Sequence, residues 1–379
     1  MKKSRRNFLG KLGLGLATSL GIGYKGMAKN SDQTTDKMKQ QHPVIQTQAL
    51  GFQWQTADPF LFCVHHDDKF PKGTANMGPE PSLLRGRNIG QDFLLKDGWR
   101  MYHGETVPGF PGHPHRGFET ITVVRKGWVD HADSLGGSGR YGNGDVQWMT
   151  AGKGIQHSEM FPLLNQEEDN PMELFQIWLN LPSKDKMVAA HYKMLWGTEV
   201  PKLTFKDAVG NATLVEVIAG QLGEHKAPAP TPNSWAANPD NEVAIWNMRM
   251  GANASWTVPA SQKGINRTLY FYEGEGLQID GKTIAPYHAV LVHPDQSLTL
   301  QAGATGANIL MLQGRPIQEP VVQHGPFVMN TRQEIQQAFA AFQQTRFGGW
   351  PWSRYDQVHD PKLGRFAKYG DRKEEPSKG

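Results

Sequence analysis

The sequence predicts an all-β chain: two β-domains of similar size, followed by one helix. Three observations carry that expectation. Glycine and proline supply 67 of the 379 residues, about 18% against an average of about 12%, so the chain turns often. Short apolar runs recur in two series, each run bounded by turn residues. A single helix signal stands near the C-terminus.

The N-terminus reads as an address. Residues 1–28 begin with Lys2, Lys3, Arg5 and Arg6 and continue into a short apolar stretch, Leu12 to Tyr24, thinned by glycine. That stretch is too short and too glycine-rich for a spanning helix. The run Ser4-Arg5-Arg6-Asn7-Phe8-Leu9 resembles a twin-arginine export signal, with the usual following basic residue one place late at Lys11, and small residues allow cleavage after Ala28. Such a signal implies a protein that folds and takes its cofactor in the cytoplasm and works in the periplasm. Residues 29–45 are polar and aperiodic, and read as a flexible leader.

From 46 to 195 the runs Phe60-Leu61-Phe62-Cys63-Val64, Thr120 to Val124, Val146 to Met149 and Leu174 to Leu179 are separated by breaks such as Gly136-Gly137-Ser138-Gly139. This is the pattern of a β-barrel or sandwich. A second series over 196–330 includes Thr213 to Ile218, Val243 to Met248, Thr268 to Tyr272, Ala289 to Val292 and Ile309 to Leu312, with a long loop from Glu224 to Asn241. Over 331–379 a helix leads into a tail. Thr331-Arg332-Gln333-Glu334 is a capping box, and Ile335, Ala338, Phe339 and Phe342 form one apolar stripe for packing. Residues from about 358 onward are charged and read as loose.

Composition excludes several classes. A hydrophobic fraction of 38% and a mean hydropathy of −0.54 exclude a polytopic membrane protein. One cysteine excludes an intramolecular disulfide, a Cys-only zinc site and an iron–sulfur cluster; Cys63, in an apolar run, reads as core. The net charge is +4, but residues 1–28 hold six lysines and arginines and no acids, so the chain without them carries −2 and offers nothing to nucleic acid.

Histidine carries the chemistry. Seven of fourteen histidines lie between residues 65 and 157. In a strand, residues two apart share a face. His113 and His115 therefore point together, as do His157 and Glu159. On opposing strands inside a small barrel the two pairs converge as three imidazoles and one carboxylate. Imidazole suits Fe, Mn, Cu, Ni or Zn, and the carboxylate moves the preference toward Fe or Mn. Four such donors leave coordination positions open for catalysis.

The run HPHRGFETITVV, then HADS, then GDVQWMTAGKGIQHSEM, resembles the pirin family of the cupin superfamily. Asp58-Pro59-Phe60, Gly314 to Pro320 and Gly325 to Thr331 agree as well, so the resemblance spans roughly 50–347. It implies a bicupin: two stacked jelly-roll β-barrels with metal in the N-terminal one alone. By that resemblance His113, His115, His157 and Glu159 hold one mononuclear divalent metal, Fe(II) foremost, with Mn, Ni, Cu, Co or Zn as alternatives. Glu119 is then no ligand but a supporting partner of a histidine. The family implies a quercetinase-like dioxygenase acting on a flavonol or related phenolic, with Glu159 also accepting the substrate proton. The alternative is a non-catalytic, metal-dependent binding or redox-sensing protein of the cell envelope.

Other residues read as structural. His65-His66-Asp67-Asp68, an insertion relative to the family, reads as a surface turn. His103 reads as structural or as rim, Asp133 and Ser134 as turn hydrogen bonding, Lys153 as a solvated loop lysine, and Gln147, Trp148 and Met149 as a buried strand. No histidine pair at period two occurs in the second domain, which is expected to cover or shape the mouth of the first.

Overall fold

A computed structural model describes residues 42–376. The expected export signal, and the leader up to residue 41, lie outside them. The first strands are β1 (Val44–Ala49), β2 (Gln53–Trp54), β3 (Phe60–Phe70), β4 (Gly109–His115), β5 (Phe118–Lys126) and β6 (Trp128–Asp133). β7 (Ser138–Gly142), β8 (Val146–Thr150), β9 (Ile155–Met160), β10 (Asn170–Asn180) and β11 (His191–Leu195) follow. One sheet has the order β11-β8-β5-β10-β3-β2. The opposing sheet runs β4-β9-β6-β7 and is extended by Phe366–Tyr369 and Arg372–Glu374. Together they form the N-terminal barrel.

The second barrel is built on a seven-stranded sheet ordered β1, His288–Val292, Asn266–Glu273, Ala307–Gly314, Ala244–Met250, Ala212–Ala219 and Lys202–Lys206. Its interior is filled by apolar side chains, among them Trp246, Met248, Leu269, Phe271, Val290 and Ile309.

Stacking of the barrels explains why β5 and β10 read as nearly continuous apolar runs. Alternate side chains leave each strand on opposite faces. Thr120, Thr122 and Val124 face one way; Ile121 and Val123 face the other, joining Ile177 and Leu179 of β10 against Ile218, Ile245, Tyr270, Leu310 and Leu312 of the second barrel. A sheet covered on both faces needs apolar residues at both parities. Each large side chain in this layer contributes about 1.5–3 kcal/mol.

The helix α1 (Arg332–Thr345) carries the capping box in full, with Thr331 Oγ1 accepting from Glu334 N and the Glu334 carboxylate accepting from Thr331 N. Its stripe packs: Ile335, Ala338 and Phe342 are buried with Phe327 and Phe347.

Three expectations are corrected. The leader does not reach residue 45, because β1 begins at Val44 and pairs antiparallel with His288–Val292. The strand is the first among the described residues yet lies in the second barrel's sheet rather than in the barrel expected over 46–195. The tail beyond 358 is not loose. Phe366–Tyr369 pairs with β7, and the buried Arg140 guanidinium, which grips Asp130, donates to the carbonyls of His359, Asp360 and Leu363. A buried charge with spare donors needs acceptors, and this segment supplies them. Finally, His65-His66-Asp67-Asp68 is no surface turn but the middle of β3. Tyr102 Oη donates to Asp68 Oδ2 and so accepts from His66 Nδ1 at 2.7 Å, while Arg100 also donates to Asp68. These partners satisfy the buried pair His66 and Asp68, while His65 meets Glu173 and Asp67 is exposed.

Candidate metal centre

The ligand-bearing strands are β4 and β9. They pair antiparallel with His113 directly opposite His157, and a bulge between Phe110 and His113 sets that register. β6 lies on the other side of β9, with Asp133 opposite His157 and His131 opposite Glu159. One ring nitrogen from each of His113, His115 and His157 lies within 4.8 Å of the other two. Their centroids are 4.7 Å apart for His113–His115, 4.5 Å for His113–His157 and 5.0 Å for His115–His157. Among the described residues this is the one cluster of metal-capable side chains so arranged.

Orientation comes from backbone carbonyls. His113 Nδ1 lies 3.0 Å from the Pro111 carbonyl, and His115 Nδ1 lies 3.4 Å from that of Pro326. Pro326 comes from the segment before α1, where Val328 N donates to the Arg116 carbonyl. Phe118 and Trp178 close the back of His115. His113 alone of the three is half-exposed, which marks the open side.

The donor set fits a divalent metal. His157 is fully buried, yet neither ring nitrogen has a hydrogen-bond partner. An unpaired buried imidazole is costly. A metal shared with His113 and His115 would satisfy it. Burial, together with the neighbouring imidazoles, holds His157 and His115 well below the usual histidine range, and burial brings His113 down to about 4. All three are therefore neutral at physiological pH, the form that ligates.

Glu159 lies next to this group, two residues after His157 on β9. Its Oε2 is 3.8 Å from His157 Nε2. Thr122 Oγ1 of β5 donates to Oε1 at 2.8 Å, and Gln176 Nε2 of β10 donates to Oε2 at 2.9 Å. Burial raises the carboxyl above its ordinary range despite these donors. Sequence spacing places Glu159 on the correct face but gives no sign of Thr122 or Gln176, which reach it from across the barrel.

Glu119 supports no histidine, contrary to expectation. It accepts from Trp148 Nε1, Thr150 Oγ1, Thr231 Oγ1, Ser234 Oγ and Trp235 N, at 3.1, 2.7, 3.3, 2.8 and 3.2 Å. The last three donors belong to the long loop of the second domain, so Glu119 ties that loop to the first barrel. Burial pushes its carboxyl up to about 7. His131 is buried beside His157, with Nε2 3.0 Å from Asp133 Oδ2. His103 lies with Phe93 and Phe110 near the barrel mouth, and Lys153 is exposed.

Two stacked β-barrels, with a three-histidine cluster in the N-terminal one, define a bicupin with a candidate metal site. The chain belongs to the pirin family: residues 76–179 match the pirin domain and residues 245–348 the pirin C-terminal cupin domain. A Pseudomonas aeruginosa protein provisionally named quercetin 2,3-dioxygenase is 37% identical over 279 residues, covering 71% of this chain and 92% of that one. Pirin of Homo sapiens is 37% identical over 263 residues, covering 68% of this chain and 82% of its own. The crystal structure of a quercetin 2,3-dioxygenase from Acinetobacter baumannii superposes with a TM-score of 0.62 at 25% identity, over 81% of this chain and 96% of that one.

Proposed function

We propose that this protein is a metal-dependent dioxygenase acting on a flavonol or related phenolic. The observation that carries the reading is the cluster of three neutral imidazoles with one half-exposed member and a carboxylate at its side. The names of its relatives support the substrate class. His113, His115 and His157 hold the metal, Fe(II) by preference, and Glu159 is the carboxylate of the site. When bound, such an ion supplies Lewis acidity toward a substrate hydroxyl and a redox partner for dioxygen. The chain's own groups do the rest. Glu159 accepts the proton of the phenolic hydroxyl, held in place by Thr122 and Gln176. Trp178 and Phe118 wall the site behind His115 with apolar surface.

The N-terminal residues support action in the periplasm after twin-arginine export. No helix among the described residues is long and apolar enough to cross a membrane. The test is direct. The chain without residues 1–28 is made in iron-replete cytoplasm, its metal content is measured, and dioxygen uptake is followed with a panel of flavonols. Full occupancy with no turnover of any phenolic overturns the reading.

A further inference from the structure

The loop between β3 and β4 is fastened at one residue. The Arg87 guanidinium is fully buried and donates to Asp92 Oδ2 at 3.0 Å. It also donates to the carbonyls of Trp99, Lys96 and Leu83, at 2.9, 2.7 and 3.3 Å, and lies 3.3 Å from the centroid of the Trp99 ring. Asp92 in turn accepts from Met101 N and pairs through its backbone with Tyr102. A buried charge is tolerated only when its donors are met, and here each guanidinium nitrogen has an acceptor. The loop is therefore set in one shape.

That fixed loop holds apolar side chains in water. Among the described residues, fourteen large apolar side chains are exposed, and five of them, Leu83, Ile89, Phe93, Leu94 and Leu95, fall between residues 83 and 95. Leu94 is 81% exposed and Leu95 56%, so the pair stands nearly clear of the surface. A groove for a small molecule would cover its lining more than this. Two exposed cations, Arg85 and Lys96, flank the apolar residues. The one exposed acid beside them, Asp97, faces Arg87 at 3.6 Å. Projecting apolar side chains bordered by cations complement a bilayer of anionic lipid. A stable dimer takes roughly 800 Å² from each partner, more than one loop tip offers.

The loop also rims the metal centre. The Phe93 ring lies 5.0 Å from that of His103 and 6.4 Å from that of Phe110, and Phe110 lies 6.4 Å from the half-exposed His113. His103 Nδ1 is 2.9 Å from the Gly90 carbonyl, which ties the loop to this side of the mouth.

We propose that the loop of residues 83–96 docks on an anionic lipid surface, inserting Leu94 and Leu95, and so sets the mouth beside His113 against the bilayer. The docking rests on no property of the metal. Its consequence does rest on the proposed function: a phenolic dissolved in lipid reaches His113 past Phe93 and Phe110 without crossing bulk water.

The experiment sediments the chain without residues 1–28, whose own apolar stretch would bind lipid, with two kinds of vesicle. One kind is phosphatidylethanolamine with phosphatidylglycerol, the other phosphatidylcholine alone. The chain is expected to sediment with the anionic vesicles, and added salt to release part of it. Arg85→Gln weakens that binding about fivefold. Leu94→Ser with Leu95→Ser lowers the partition coefficient at least about tenfold, with thermal unfolding unchanged. Val209→Ser, at a site on the second barrel that is 82% exposed, leaves binding as it was. Cys63 is buried, so a bimane probe can be placed on Leu94→Cys or Val209→Cys alone. Its emission shifts to shorter wavelength with vesicles at the first site and not at the second. A wild-type chain that stays in solution with both vesicles overturns the proposal. So does a double leucine variant that binds as wild type does. A wild type that is dimeric without lipid, and monomeric once both leucines are replaced, makes the patch an interface between copies and overturns it too. These measurements need neither metal nor substrate, so a failure of the proposed function leaves them unchanged.

Discussion

His113 and His157 are register partners on adjacent antiparallel strands, and their ring centroids lie 4.5 Å apart. Opposite residues on one face of an antiparallel pair are the nearest side chains two strands offer. The candidate metal cluster is thus built on a directly opposed cross-strand pair, and His115 completes it two residues along β4.

That placement leaves His157 costly without metal. Replacing His157 with Leu removes two buried, unpaired nitrogens. We expect the metal-free variant to be about 1–3 kcal/mol more stable than metal-free wild type in urea denaturation, while elemental analysis finds its bound metal lost. Equal or lower stability of the metal-free variant contradicts the assignment of His157 as an unsatisfied ligand.

Glu119 has five donors and joins the two barrels through three of them, Thr231, Ser234 and Trp235. Glu119→Ala strands several of them in the interior, each at a cost of about 1–3 kcal/mol. A total loss of roughly 3 kcal/mol or more is expected from denaturant unfolding. A loss under about 1 kcal/mol would show that the loop from the second domain is held by other means.

The acid limb of stability is expected to report Glu173. Burial favours its neutral form, but hydrogen bonds from His65 and Lys126 and the charge of Arg125 win and hold its carboxyl at about 2. A depressed carboxyl stabilises the fold above its ordinary value of 4.5 and loses that contribution as pH falls toward 2. Glu173→Gln is therefore less stable than wild type at pH 7, with the difference shrinking below about pH 4.5 and vanishing near pH 2. A gap that is constant across pH rules out the ion pairs as its source.

The segment after α1 seats against the outer side of the ligand strands. Gly112 N donates to the Tyr355 carbonyl, Trp352 Nε1 to that of Asp133, and Gln156 Nε2 to those of Arg346 and Gly349. A Cβ at Gly112 would sit 2.6 Å from Tyr355 Cδ1 and 3.3 Å from Trp350. Gly112→Val is thus expected to push this segment off the sheet, and limited trypsin digestion to cut faster after Arg354 and Lys362. Unchanged cleavage would mean that the stacked Trp350 and Tyr355 rings move aside without releasing the chain.

Period two and register made His113, His115, His157 and Glu159 legible, because a strand converts spacing directly into facing. The apolar layer between barrels was legible for the same reason. Thr122 and Gln176 were not, since contact across a barrel leaves no local pattern. The segment from 346 to 369 was hidden by its means of attachment. It is held largely through backbone carbonyls, which every residue possesses, so composition says nothing of them. β1 buries one side chain in six and pairs through its backbone, so its sequence looks like leader.

The two outermost segments trade places. β1 closes the edge of the second barrel's sheet, while Phe366–Tyr369 extends the first barrel's. On the ribosome, the first barrel therefore gains this edge only once residue 369 has emerged, and the second gains β1's pairing only once residue 292 has. Domains usually fold as units during synthesis, but here each sheet's edge is finished by a strand distant in the chain. Cutting the chain between barrels would leave each half with a bare strand edge, the feature that invites association with other chains.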